Sequence, residues 1–252
     1  MKTHSDRAPE SGMAERIRVQ KAIAHAGLMS RRAAEEAISK GRVAIDGRVA
    51  VLGDRVDVNS EMVTLDGAPI PMKPDTETHL LYKPVGVIST SNDPQGRQTV
   101  VDLVKSDVRL YPVGRLDSDS EGLILVSNDG ALTERVTHPR YGIHKKYLAE
   151  LQGTAKASEI RRLETGVDLD DGPARAIKAR IVDQLGGRTH VELIMEEGRN
   201  REVRRMVEAI GYATNRLVRT AIGPLTDPSL KPGESRQLSN TEIVDLMRAA
   251  KS

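Results

Sequence analysis

Apolar residues first recur at helical spacing. Val19, Ala22, Ile23 and Ala26 fall at i, i+3, i+4 and i+7, which predicts an amphipathic helix, and Gly27 follows as its stop. Ser30 is placed to cap a second helix whose inner face holds Ala34, Ala37 and Ile38 and which ends at Gly41. The period then changes to two. Val43 and Ile45 precede Asp46-Gly47, and Val49 and Val51 follow it, a pattern that predicts a β-hairpin. Another strand, Met62–Leu65, runs into Asp66-Gly67. Residues 14–70 therefore read as a helix–helix–hairpin module. Residues 1–13 carry no period and read as a loose tail, and 71–78, with Pro71 and Pro74, as a linker.

Residues 79–252 mix strands and helices without a regular βαβ repeat. The expected strands are His79–Tyr82, Val85–Ser89, Leu123–Ser127, Lys146–Leu151, Ile177–Val182 and His190–Met195. The expected helices are Val100–Val104, Ala131–Val136, Glu159–Glu164, Asn200–Ile210 and Glu242–Ala250. In the fourth helix Val203, Met206, Val207 and Ile210 form the apolar face, which assigns Arg201, Arg204, Arg205 and Glu208 to the polar one. The fold class expected is α+β, with a largely antiparallel sheet behind the small N-terminal module.

Composition narrows the chemistry. The 252 residues include no Cys, Trp or Phe, and the only aromatics are five tyrosines. Zero Cys excludes disulfides, thiolate metal sites and a cysteine nucleophile. No apolar run approaches the ~20 residues of a membrane span, and no signal-type stretch follows Met1, so a cytoplasmic protein is expected. Net charge is only +2, but it is segregated. Ala14–Asp57 holds nine basic residues against six acidic, Glu197–Thr220 six against three, and Pro74–Arg135 six against ten. Basic stretches on either side of an acidic middle suit a polyanion touched at two places; solvated helix faces are the plainer alternative.

In the first basic stretch, Arg16, Arg18, Lys21, Arg31, Arg32 and Lys40 surround the Gly27–Ser30 turn. Cations there, with the free N–H groups at the start of the second helix, suit phosphates. The segment Ile17–Asp57, with Gly27-Leu28-Met29-Ser30-Arg31-Arg32-Ala33 and Gly41-Arg42-Val43-Ala44-Ile45-Asp46-Gly47, resembles the alpha-L RNA-binding fold of small ribosomal protein four. That resemblance adds Ser30 and Arg42 to the expected RNA-binding residues.

The densest polar segment is Gly114-Arg115-Leu116-Asp117-Ser118-Asp119-Ser120-Glu121-Gly122-Leu123. It reads as a solvated turn, as paired glycosidase carboxylates, or as a calcium loop. In the last case Asp117, Asp119, Glu121, Gly122 and Ile124 fall near positions 1, 3, 5, 6 and 8 of an EF-hand, but Asn128 stands at position 12 in place of the bidentate Glu. The same residues resemble the active-site motif of bacterial ribosomal RNA pseudouridine synthases of the RsuA and RluB type. Lys83-Pro84-x-Gly86-Val87, His144-Lys145-Lys146-Tyr147 and Glu197-Gly198-Arg199-Asn200-Arg201-Glu202-Val203-Arg204-Arg205-Met206 resemble that family's other motifs, in the same order. Tyr82 stands before Lys83 where the pattern has Asn.

The resemblance implies a pseudouridine synthase with no cofactor and no metal, working as a monomer on ribosomal RNA or a ribosomal assembly particle. It leans to the large-subunit 23S rRNA. A small-subunit 16S enzyme and a non-catalytic ribosome-assembly protein are the alternatives. Asp117 is the expected catalytic carboxylate, as nucleophile at the sugar C1′ or as base at the 2′ proton. Arg204 is its expected cation, with Arg205 as the adjacent rival. Tyr147 is the expected platform for the flipped base, Arg115 a nucleotide contact and Leu217 an apolar wall. Lys145, Lys146, Arg201 and Arg205 are expected to face RNA. His138 and His144 read as RNA-facing or structural, not as ligands.

Overall fold

A computed structural model of the chain describes residues 16–70 and 75–250, which divide into two units at Asp75 and Thr76. The expected tail (1–13) and the first four residues of the expected linker lie outside the described residues.

The first unit runs β1 (Ile17–Arg18), α1 (Val19–His25), α2 (Arg31–Ser39), β2 (Val43–Ile45), β3 (Arg48–Val49), β4 (Arg55–Val56), β5 (Val63–Leu65) and β6 (Ala68–Pro69). Ser30 Oγ accepts from the Ala33 N–H at 3.2 Å, so α2 begins where its cap predicts. Val19, Ile23, Ala34 and Ile38 pack with Val43, Val56 and Val63 in one core. Asp46 and Gly47 both take positive φ, as a type I′ turn requires, and Asp66-Gly67 repeats this between β5 and β6. The two-residue turn sets Ile45 against Arg48 and Ala44 against Val49. Ala50 is therefore the buried residue, while Val49 and Val51, the apolar positions of the hairpin pattern, are exposed.

The second unit runs β7 (Thr78–Lys83), β8 (Tyr111–Val113), β9 (Glu121–Ser127), α3 (Gly130–Thr137), β10 (Lys145–Gln152), α4 (Ala157–Thr165), β11 (Val167–Leu169), β12 (Gly172–Ala174), β13 (Lys178–Leu185), β14 (Arg188–Met195), α5 (Glu202–Ala209), β15 (Thr214–Ile222), β16 (Ser235–Gln237) and α6 (Asn240–Ala249). Its main sheet has eight strands in the order β13-β14-β10-β15-β9-β7-β16, with β8 also paired to β9. Every pair is antiparallel except β15 with β9. On one face Leu81, Ile124, Ala149, Leu193 and Leu217 pack in a core with Ile160 and Leu163 of α4 and Met206 and Val207 of α5. On the other, Leu80, Leu123 and Leu125 pack with Leu132 of α3 and Leu246 of α6. With both faces covered, all seven residues of β9 are buried.

Two expectations change, and one strand goes unexpected. Val85–Ser89 is not a strand: Val85 is exposed and Ile88 makes a single bridge to Thr99. Val100–Val104 is a pair of tight turns, not a helix; Val100 and Val104 are buried, so the apolar spacing reflects packing and not helical period. The central strand β15 escapes a reading by alternation, because Arg216 and Arg219 interrupt its apolar residues.

Gly122 decides how β9 meets β15. Its φ is +105°, and a Cβ there would stand 2.3 Å from Arg219 O. Gly122→Ala is expected to cost on the order of 3 kcal/mol, from strain together with overpacking. Gly186→Ala, at φ +60° with nothing within 4 Å, is expected to cost only about 1 kcal/mol. Urea unfolding of the two variants checks the difference, and equal midpoints would show that the close approach at Gly122 is not binding.

Candidate active site

The segment between β8 and β9 turns at Gly114, whose φ is +79°. It is then fastened mostly through its own main chain. Ser89 Oγ donates to Leu116 O at 2.8 Å and accepts from the Leu116 N–H at 3.1 Å. The Gly86 N–H donates to Ser118 O at 2.7 Å, which gives the Lys83–Val87 segment its use: it is a bracket for the turn.

Three buried cations complete the hold. Lys83 Nζ donates to Ser120 O at 2.7 Å and Pro84 O at 3.0 Å. Arg204 Nη2 donates to Asp119 O at 2.8 Å, and its Nη1 to Thr214 O at 3.0 Å. Arg219 Nε donates to Leu123 O at 2.6 Å. Burial pushes the Lys83 ammonium down to about 8 against the opposing pull of Asp117, Asp119 and Glu121.

The neighbouring carboxylates have partners of their own. Arg201 grips Asp119 with both guanidinium nitrogens, at 3.0 and 2.9 Å, and this fork holds the Asp119 carboxyl below its usual range. Glu121 accepts from Arg216 Nε at 2.5 Å, and the Tyr82 hydroxyl donates to its other oxygen at 3.2 Å, so Tyr82 serves the segment that follows Asp117. The calcium reading fails on this geometry. Two of its three carboxylates are turned to arginines, and no group of three His, Asp or Glu converges as metal ligands would among the described residues.

Asp117 opens instead into a cleft of about 500 Å³, a volume suited to a small ligand or a single nucleotide. Of the expected site residues, the cleft brings together Arg115, Asp117, Lys145, Tyr147, Arg201 and Leu217. Tyr147 is nearly buried, set on β10 opposite Leu193 of β14 and Arg219 of β15. Leu217 reaches the cleft because β15 runs beside β10. Arg204, expected as the cation beside Asp117, is only 6% exposed and sits behind the turn, where it donates to Asp119 O and Ser120 Oγ and lies 3.5 Å from the Asp119 carboxylate. Arg219, which carried no expected role, lines the cleft. Its signal in the sequence was an arginine inside an apolar segment.

Other expected RNA contacts are engaged elsewhere. Arg205 forms a two-pronged pair with Asp171, just before β12, at 2.9 Å on each side. Lys146 lies 3.6 Å from Glu192 and does not line the cleft, as alternation along β10 dictates. His138 Nδ1 accepts from the Arg140 N–H and so caps a short turn, while His144 is exposed. In the first unit Arg16 pairs with Glu61, Lys40 with Glu36 and Arg42 with Asp66. Arg18, Lys21, Arg31 and Arg32 make no ion pair among the described residues, and the first three line a shallow groove.

Family comparison agrees with this division. A model of the RNA pseudouridylate synthase family matches residues 77–209, and one of the S4 domain matches residues 17–62. The chain is similar to an uncharacterized RNA pseudouridine synthase of Mycobacterium tuberculosis, at 43% identity over 92% of this chain and 94% of the other. It is also similar to the ribosomal large subunit pseudouridine synthase B of Bacillus subtilis, at 40% identity over 92% and 96%. Among solved structures, a pseudouridylate synthase superposes with a TM-score of 0.65 at 28% identity, covering 91% of this chain and 99% of that one.

Lys145 gives the cleft a pH dependence. Burial, and then repulsion from Arg219, lower its ammonium to about 8, while Glu196 acts the other way. The cation is present at neutral pH and is lost as pH rises through that value, so a polyanion held there weakens on the alkaline side. RNA affinity is expected to fall between about pH 7 and pH 9 in the wild type and to fall less in Lys145→Met. Filter binding across that range checks it, and parallel profiles would remove Lys145 from the interface.

Proposed function

We propose that this chain, which belongs to the RNA pseudouridylate synthase family and carries an S4 domain ahead of the synthase domain, converts a uridine of ribosomal RNA to pseudouridine, with large-subunit 23S rRNA as the substrate. One observation carries the chemistry. A single cleft holds the Asp117 carboxylate, the Tyr147 ring and the Leu217 side chain, within walls that include Arg115, Lys145 and Arg201. The large-subunit assignment is supported by the name of the Bacillus subtilis relative.

The reaction breaks the bond between uracil N1 and the sugar C1′, turns the base and joins its C5 to C1′; C5 then releases its proton to solvent and N1 takes one up. Electrons balance without an oxidant or a donor, so this chain's side chains suffice. Asp117 acts at the sugar, either as a nucleophile on C1′ or as a base on the 2′ proton. The target base must first leave its stack, and an aromatic face holds it for ~1–3 kcal/mol. Tyr147, the only aromatic side chain lining the cleft among the described residues, takes this role. Leu217 offers the apolar wall, and Arg115 and Lys145 meet the phosphates around the target, while Arg201 holds Asp119 beside them.

Residues 14–70 act as an RNA clamp and residues 79–252 as the synthase domain. Within the clamp, Arg18, Lys21, Arg31 and Arg32, which make no ion pair among the described residues, are the cations available to phosphates. The protein acts as a cytoplasmic monomer on naked rRNA or on an assembly particle. No helix of the described residues is long and apolar enough to cross a membrane.

Two experiments test these assignments. Asp117→Asn is expected to lower tritium release from C5-labelled uridine in rRNA by on the order of 10³-fold or more while RNA binding persists. Release at the wild-type rate would sink the Asp117 assignment. Replacing Arg31 and Arg32 together by Ala is expected to reduce the slope of log affinity against log salt by about 1–2. An unchanged slope would place the clamp elsewhere.

A further inference from the structure

One side chain ties both ends of the Asp117 segment. Arg219 Nε donates to Leu123 O at 2.6 Å, and Nη1 donates to Arg115 O at 3.4 Å. The two carbonyls lie on either side of Asp117. The backbone of Arg219 is equally constrained. Its Cα partner on β10 is Tyr147, and on β9 it is Gly122, the position where a Cβ would strike Arg219 itself. Opposed residues of an antiparallel pair face the same side of a sheet, so Arg219 and Tyr147 rise together, and both line the cleft.

Stability alone does not call for an arginine here. Arg219 is 5% exposed, and its Nη2 is buried without a hydrogen-bond partner among the described residues. A desolvated donor left over is a cost that an apolar residue at a sheet centre would avoid, and such exceptions in a native site ask for a functional reason.

We propose that Arg219 is a positioning residue for the reaction: by spanning Arg115 O and Leu123 O it sets where the Asp117 carboxylate stands relative to Tyr147. This rests on the reading of Asp117 as the reacting carboxylate. The guanidinium suits the task because its planar fork addresses two acceptors in fixed directions, whereas an ammonium is a point charge on a flexible stem. Charge without the fork is therefore insufficient.

The test compares wild type, Arg219→Lys, Arg219→Met and Asp117→Asn on in vitro transcribed 23S rRNA carrying C5-tritiated uridine. It measures thermal unfolding, RNA affinity and single-turnover tritium release at saturating RNA. Arg219→Lys is expected to fold, to bind RNA within about threefold of wild type, and to lose on the order of 10²-fold in single-turnover rate, with Arg219→Met losing at least as much. Saturated rates within about threefold of wild type for both variants would overturn the proposal. So would a defect confined to affinity, which would make Arg219 an RNA contact only. If Arg219→Met unfolds, Arg219→Lys decides by the same criterion, and unfolding of both would make the role purely structural and overturn it as well. Wild-type release by Asp117→Asn would instead remove the Asp117 reading, whatever the Arg219 variants do.

Discussion

The site depends on how a short acidic turn is held in one shape while its central carboxylate stays available. The solution is to bind the main chain and leave the side chain free. Lys83, Arg204 and Arg219, all buried, donate to the carbonyls of Ser120, Asp119 and Leu123. A buried cation needs acceptors. Carbonyl oxygens supply them without consuming Asp117. The adjacent carboxylates are absorbed by Arg201 and Arg216, so positive charge surrounds the turn, and of its three acids Asp117 is the one that lines the cleft.

This arrangement makes demands on the rest of the sheet. For Arg219 to reach the turn, β15 must run parallel to β9 and close to it, and at Gly122 that approach leaves no room for a side chain. On its other side β15 pairs with β10, which carries Tyr147 and Lys145 into the same cleft. Groups of the cleft that are far apart in sequence are thus related by strand register. A shift of one residue in β10 would send Tyr147 to the opposite face.

The basic residues divide in two by what surrounds them. Arg199 and Arg205 are bound up with Asp171 next to the short β11–β12 hairpin, and Arg16, Lys40 and Arg42 pair with acids of their own unit. Exposed pairs of this kind contribute little to stability, but they reduce the charge on offer to a polyanion. Among the described residues Arg18, Lys21, Arg31 and Arg32 form no such pair. A count of positive residues along the chain therefore overstates the RNA-facing surface.

What the sequence determined by itself is whatever short-range physics settles. Ser30 caps α2, Asp46-Gly47 and Asp66-Gly67 make their turns, β9 reads as apolar, and the residues around Asp117 are recognisable as a motif. Each depends on neighbours a few positions away. Only the tertiary structure decided the rest. Val49 and Val51 face out because a two-residue turn sets the hairpin register, and Val100–Val104 is apolar because it packs, not because it is helical. Arg204 looks like a solvated helix residue until the Asp119–Ser120 carbonyl and hydroxyl arrive from 85 and 84 positions away to receive it. Arg219 looks like an interruption in an apolar segment until Arg115 and Leu123 close around it. A buried cation is defined by its acceptors, and these acceptors are long-range in the chain.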